Sequence, residues 1–257
     1  MGVRTLGLFW CVDVAEVRSV AQVSKTVDNA LWILQLLGEQ GAATSIELAK
    51  LTGLSRTIVY RSLSTLEARG FVRRDGSSYS LGLTILNLSD SIESDIRTAA
   101  QSGLEQLAAR YDATCVLVVA DGTDGVILDQ RVSQSGPTQI RYSLGFRSPL
   151  AAGGHGRAIL AFSPPKVVEA MLGKLSDVGT AERLRETLSE IRRRGYAYSS
   201  DEIRFGVSGL AVPILDRKRR AVGSIGLVTV AGGLPDLDDV SRTLMSTSAS
   251  ISEQLLR

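Results

Sequence analysis

The sequence predicts an α+β protein with a small helical domain in front of a larger domain where strands and helices interleave. Three observations predict it. Residues 25–82 carry three short helical patterns and then two strand-like runs around a turn. Residues 83–96, LTILNLSDSIESDI, place Ile85, Leu88 and Ile92 at spacings of three and four, the mark of a connecting helix. From residue 97 onward, apolar strand runs and helices follow one another without regular alternation, which fits helices packed on a sheet better than a doubly wound fold.

The first helix, SKTVDNALWILQLLGEQG, repeats Val27, Ala30, Leu31, Leu34 and Leu37 at helical spacing, so these are expected to face the core, with Gly41 just past the end. Ser45 is expected to cap a second helix, with Leu48 inward and Gly53 in the turn. Ser55 opens a third, with Val59, Leu63 and Leu66 as its inward stripe. That stripe leaves Arg56, Thr57, Tyr60, Arg61 and Ser64 on the outer face. Phe71-Val72 and Tyr79-Ser80-Leu81 then read as short strands around Asp75-Gly76-Ser77. Helix, helix, helix and hairpin in this order form a winged helix-turn-helix, which lays one helix in a DNA major groove and braces it with a wing.

In the remainder, a helix at 96–110 precedes three strand-like runs, TCVLVVADG, GVILDQRV and QIRYS. SPLAAGGHGRAILAF reads as a glycine-rich loop opening a short helix. Pro164-Pro165 starts another, and AERLRETLSEIRRRG is a charged helix stopped by Gly195. GVSGLAVPILD and AVGSIGLVTV are two further strands flanking the basic turn Arg217–Arg220, and a long helix runs from about Asp236. The expected organisation is an arm at 1–24, a DNA-binding domain at 25–82, a linker helix at 83–96 and an effector-binding and oligomerisation domain at 97–257.

Composition narrows the function. The 257 residues carry a formal net charge of only +2, so the chain is no polycation. The charge is local: Lys50, Arg56, Arg61, Arg69, Arg73 and Arg74 face the single acid Glu67 between positions 50 and 74. Phosphate binding needs such a local surplus. Two cysteines, Cys11 and Cys115, make neither a disulfide framework nor a four-ligand metal site, and one histidine offers little to zinc or to histidine-based catalysis. No cofactor is expected. No apolar run reaches the ~18 residues of a membrane span, and 1–24 lacks the features of a signal peptide, so a cytoplasmic setting is expected.

On the third helix, an arginine in the major groove can grip guanine O6 and N7 in a bidentate contact. Arg56, in the first turn, is assigned to a base edge or adjacent phosphate, and Arg61 to a base or a phosphate. Thr57 and Ser64 suit phosphates, and Tyr60 a thymine methyl or a phosphate. Ser55 and Ser45 serve as caps, with the second helix also presenting N–H groups to a phosphate. Arg73 and Arg74 in the wing are assigned to backbone or minor groove.

These residues together resemble the IclR family of bacterial transcription regulators over about residues 25–257. The marks are ELAKLTGLSRTIVYRSLSTLEARGFVRRD and YSLG, then GRAILAF, RRRGYAYSSDEIRFGVSGLAVPI and GSIGLVTV, specific through order and spacing. The resemblance implies a C-terminal effector domain related to GAF and PAS sensors, and dimers that pair into tetramers on DNA. It also implies a small organic acid bound against the glycine-rich segment, at Ala152, Gly153, Gly154, His155 and Gly156. Backbone N–H groups and the helix dipole suit a carboxylate there, although a plain tight turn explains the glycines nearly as well. His155, the only imidazole, has packing as its competing role.

Two departures bear on specificity. The family commonly has Lys-Ser-Thr-Val-His-Arg where this chain has Arg56-Thr57-Ile58-Val59-Tyr60-Arg61. Members that sense very small acids supply an Asp, a Cys and two Ser where this chain has Ser199, Gly209, Gly226 and Val228. A roomier, more apolar pocket is expected, with Tyr142, Leu144, Phe146 and Leu150 as walls and an aromatic or apolar carboxylic acid as effector. The expected partners are a double-stranded DNA operator, that acid, and further copies of the chain as a homodimer or dimer of dimers. The competing functions are a constitutive architectural DNA-binding protein and an enzyme acting on a small acid. For the latter no nucleophile and base assemble, and Asp201-Glu202, after an arginine-rich helix, reads as helix-end or salt-bridge chemistry.

Overall fold

The computed structural model describes residues 24–90, 93–133, 139–175 and 177–256. Residues 1–23 of the expected arm, Cys11 included, lie outside them. The chain divides into two compact units, one up to residue 92 and one from Glu93 onward.

The first unit contains α1 (Lys25–Gln40), β1 (Ala43–Thr44), α2 (Ser45–Thr52), α3 (Arg56–Ala68), β2 (Val72–Asp75), β3 (Ser78–Leu81) and α4 (Thr84–Asp90). Its core joins Ile33 and Leu37 of α1, Leu48 of α2, Val59, Leu63 and Leu66 of α3, and Val72 and Tyr79 of the hairpin. The inward face of α1 differs from the expected one. Val27 and Leu31 are exposed, and Ile33 takes the buried position with Leu37, while Ala30 and Leu34 pack at its margin. The helix is therefore rotated toward Ile33, since both readings of its leucine-rich sequence have helical spacing. The wing hairpin also gains an unforeseen strand: β1 pairs with β3, giving the antiparallel order β1-β3-β2.

The second unit contains α5 (Ser94–Tyr111), β4 (Thr114–Asp121), β5 (Asp124–Val132), β6 (Arg147–Pro149), α6 (Gly153–Ala161), α7 (Pro165–Leu172), α8 (Val178–Arg194), β7 (Ala197–Ser200), β8 (Val207–Leu215), β9 (Ala221–Val230) and α9 (Leu237–Gln254). Six strands form one antiparallel sheet in the order β6-β5-β4-β9-β8-β7. Its central strands are buried on both faces, and their alternation sorts side chains into two cores. Cys115, Leu117, Leu210, Val212, Ile225 and Leu227 pack against α5 and α9. Val116, Val118, Ala211 and Val228 pack on the other side with residues of α6, α7 and α8. Cys115 is fully buried, and burial pushes its thiol well above the ordinary range, which fits an inert packing group.

The run QIRYS is not a strand. Side chains replace the ladder there: Thr114 Oγ1 donates to the Ile140 carbonyl at 2.5 Å, and the Gln130 amide bonds both the N–H and the carbonyl of Tyr142. Instead Arg147–Pro149 supplies the edge strand, and Ala197–Ser200 closes the other edge. The expected linker helix falls across α4 and the start of α5, which flank residues 91 and 92, outside the described residues. No helix of the described residues is long and apolar enough to cross a membrane.

Candidate DNA-reading helix and ligand cleft

α3 begins at the cap Ser55, whose hydroxyl accepts the Ile58 N–H at 3.4 Å. With Val59, Leu63 and Leu66 inward, Arg56, Thr57, Tyr60, Arg61 and Ser64 are all exposed. Among the described residues neither Arg56 nor Arg61 has an ion-pair partner, so both guanidinium groups are free to meet anions. In the wing, Arg73 Nε donates to Ser80 Oγ at 2.9 Å, and Arg74 Nε to the Gly76 carbonyl at 2.9 Å. Arg74 also lies 5.7 Å from the Tyr79 ring centroid. These contacts stiffen the two side chains while leaving most of their donors outward. The cap of α2 is a correction: it is Thr44, and Ser45 is the first helical residue. Thr44 Oγ1 accepts the Glu47 N–H at 3.2 Å and Glu47 Oε2 accepts the Thr44 N–H at 2.8 Å, a complete capping box. The bond from the Thr44 backbone, helped by its hydroxyl, holds the Glu47 carboxyl below its ordinary range.

The second unit has a cleft between the sheet and the first turn of α6. It leaves about 60 Å³ for the centre of a water molecule, several times the roughly 10–15 Å³ one water needs. Val116, Val118, Ile127, Tyr142, Phe146, Ile203, Val207 and Val228 give it apolar walls. Tyr142 and Phe146 meet at 5.6 Å between ring centroids, and burial raises the Tyr142 phenol above its ordinary range. The polar end is built by α6. Helices leave their first N–H groups without intrahelical partners, and here Gly153 N–H goes to Glu202 Oε2 at 3.2 Å and Gly154 N–H to Ser199 Oγ at 2.9 Å.

The glycines let the neighbouring backbone and the turn after β7 approach closely. Gly153 has φ +71, and a Cβ there would lie 2.8 Å from Ile203 Cγ1. A Cβ on Gly156 would lie 2.8 Å from the Leu150 carbonyl oxygen. Between them, His155 Nδ1 lies 3.0 Å from Ser224 Oγ, while Nε2 is buried and has no hydrogen-bond partner among the described residues. Burial lowers the imidazole to about 4, so it is neutral near pH 7.

Known proteins share both units. Residues 26–76 match the IclR helix-turn-helix domain, and residues 91–252 match the C-terminal domain of the bacterial transcriptional regulator IclR. The chain belongs to the IclR family. The family's HTH-type regulator KipR of Bacillus subtilis is 30% identical over 79% of this chain and 85% of its own length. XynR of Escherichia coli is 28% identical over 84% of this chain and 90% of its own. The IclR structure from Thermotoga maritima superposes with a TM-score of 0.75 at 26% identity, covering 90% of this chain and 98% of that one. An IclR homolog from Microbacterium hydrocarbonoxydans, complexed with 4-hydroxybenzoate, has a TM-score of 0.79 at 20% identity, over 90% and 99% of the two chains. KipR and XynR are named as transcription regulators, so this IclR-family chain is a helix-turn-helix transcription regulator and not an enzyme.

Within this IclR-family domain the sheet register brings distant residues into one row. Ser199, Gly209 and Val228 pair across β7, β8 and β9, and all three line the cleft beside Ala152, Gly153, Gly154, His155 and Gly156. Tyr142 and Phe146 line it too. Three expected residues do not. Leu144 is exposed, Leu150 is wholly buried in the core beneath α6, and Gly226 presses against Leu210 and Ala211 of the neighbouring strand. Glu202, Ile203 and Arg204 line the cleft from the turn between β7 and β8, and sequence reasoning missed them. Glu202 does form a salt bridge, with Arg157, but that pairing gives no hint of the carboxylate's place at the cleft. The one available signal is the adjacency of Asp201-Glu202 to Ser199.

Proposed function

We propose that this regulator binds double-stranded operator DNA through α3 and its wing, and responds to a small aromatic or apolar carboxylic acid in the cleft. The supporting observation for the acid is that a carboxylate already sits at the cleft's polar end, on the first-turn N–H of Gly153, with aromatic and aliphatic walls beyond it. A helix N-terminus favours an anion there. The 4-hydroxybenzoate held by the Microbacterium homolog has this chemistry, an acid on an apolar ring. On DNA, a homodimer or dimer of dimers presents paired recognition helices to half-sites about 34–36 Å apart, and occupancy of the cleft alters operator affinity. A cytoplasmic location accompanies that role.

Thermal unfolding of the full chain with 4-hydroxybenzoate, benzoate and aliphatic carboxylates tests the acid reading. A true ligand at a hundred times its Kd adds about 2.7 kcal/mol and raises the Tm. No shift with any acid at millimolar concentration contradicts it.

A further inference from the structure

We propose that Glu202 is a tethered competitor for the effector's carboxylate, and thereby a specificity-determining residue of the cleft. The proposal rests on the carboxylic-acid reading above. The turn Asp201–Gly206 hangs over the cleft in a fixed shape. Asp201, at φ 60, accepts the Gly206 N–H on Oδ1 at 2.6 Å and donates its own N–H to the Val207 carbonyl at 2.9 Å. Val207 N–H in turn reaches the Arg204 carbonyl at 3.2 Å.

So placed, the Glu202 carboxylate performs two tasks at once. Oε2 accepts the Gly153 N–H, and Oε1 pairs with the guanidinium of Arg157, whose side chain is only 15% exposed. Arg157 is anchored from behind, with Nε donating to the Gly153 carbonyl at 3.3 Å. An acid that seeks the Gly153 amide therefore meets the chain's own carboxylate on it. The exchange is selective. An incoming carboxylate replaces Glu202 on both the amide and the guanidinium, whereas a neutral ligand that displaced it would leave Arg157 largely buried and unpaired. Ile203, on the same turn, lies against Gly153 and helps to seat the turn over the cleft.

Charge-assisted hydrogen bonds of this kind are worth enough to hold the acid's affinity down about tenfold or more. Calorimetric titration of the full chain with 4-hydroxybenzoate and with its neutral counterpart 4-hydroxybenzamide tests this. Glu202→Ala is expected to bind the acid about tenfold tighter or better, and the amide to gain less, since a neutral carbonyl bonds the freed Gly153 N–H and Arg157 guanidinium more weakly than a carboxylate does. Glu202→Gln, which keeps the size and an acceptor but lacks the charge, is expected to fall between, and carries the test if the alanine variant is unstable. Acid affinity that is unchanged or weaker in both variants overturns the proposal, as does an equal gain for acid and amide. If neither the wild type nor either variant binds the acid, the carboxylic-acid reading itself fails and takes this proposal with it.

Discussion

The outer face of α3 draws Arg56, Thr57, Tyr60, Arg61 and Ser64 from nine successive residues and leaves them exposed. The cleft draws its lining from β4, β5, β6, α6, β7, β8, β9 and the loops between them, and the first N–H groups of α6 at its polar end are already engaged by Glu202 and Ser199. A DNA surface can be offered by one helix because phosphates and base edges come to it. A small-molecule site needs walls on several sides, so it is assembled by tertiary structure and filled with internal partners until a ligand replaces them. The first is readable from periodicity. The second depends on register.

The sharpest way to break this comparison is at the platform beneath the DNA face. Leu63 is wholly buried under the arginines, and Leu63→Ala should cost the first unit about 2–5 kcal/mol. Circular dichroism and anisotropy should show an early melting transition and lost DNA affinity, with acid binding in the second unit retained. Loss of acid binding as well would mean that the two cores do not stand separately.

His155 sharpens the cleft side. Its folded value, about 4, is depressed below the ordinary 6.5, so the unfolded state takes up the proton first as pH falls. Stability is therefore full above about pH 6.5 and is lost progressively down to about pH 4, by on the order of 3 kcal/mol. Denaturant unfolding across that window should show the loss in the wild type and a flatter profile in His155→Leu. Equal slopes would refute the buried neutral imidazole.

The smallest effect separates two adjacent residues at α2. Thr44→Ala should cost about 1 kcal/mol through the capping box, while Ser45→Ala should cost less than about 0.5 kcal/mol. Chemical denaturation reads both, and the reverse order would restore Ser45 as the cap.

Much of the first unit is legible in the sequence because its signals are local. Ser55 before the Val59, Leu63 and Leu66 stripe fixes both the start and the outward face of α3. Local signals also mislead: Thr44-Ser45 offers two capping hydroxyls, and only Glu47 three residues beyond Thr44 decides between them. α1 is leucine-rich all round, so periodicity alone cannot choose Ile33 over Leu31. In the second unit the strands of the central sheet are plain from their apolar runs, but β7 and β6 are short edge strands of mixed polarity. Leu144 and Leu150 are equally apolar, and only their places outside the sheet and under α6 show which way they face. Glu202 needs the fold, since its partners Gly153 and Arg157 lie more than 40 residues away in sequence.

On the proposed function, α3 reads operator DNA and an acid in the cleft adjusts that reading. Fluorescence anisotropy tests it most directly, with the full chain on duplex DNA from beside its own gene, over a salt series, with and without 4-hydroxybenzoate. The account predicts sequence-selective binding with a steep salt slope and an affinity that shifts when the acid is added. In Arg56→Ala/Arg61→Ala it predicts binding weaker by about 1–3 kcal/mol for each base-reading arginine removed. Binding that is equal on a scrambled duplex, indifferent to both substitutions and unmoved by any carboxylic acid would contradict it.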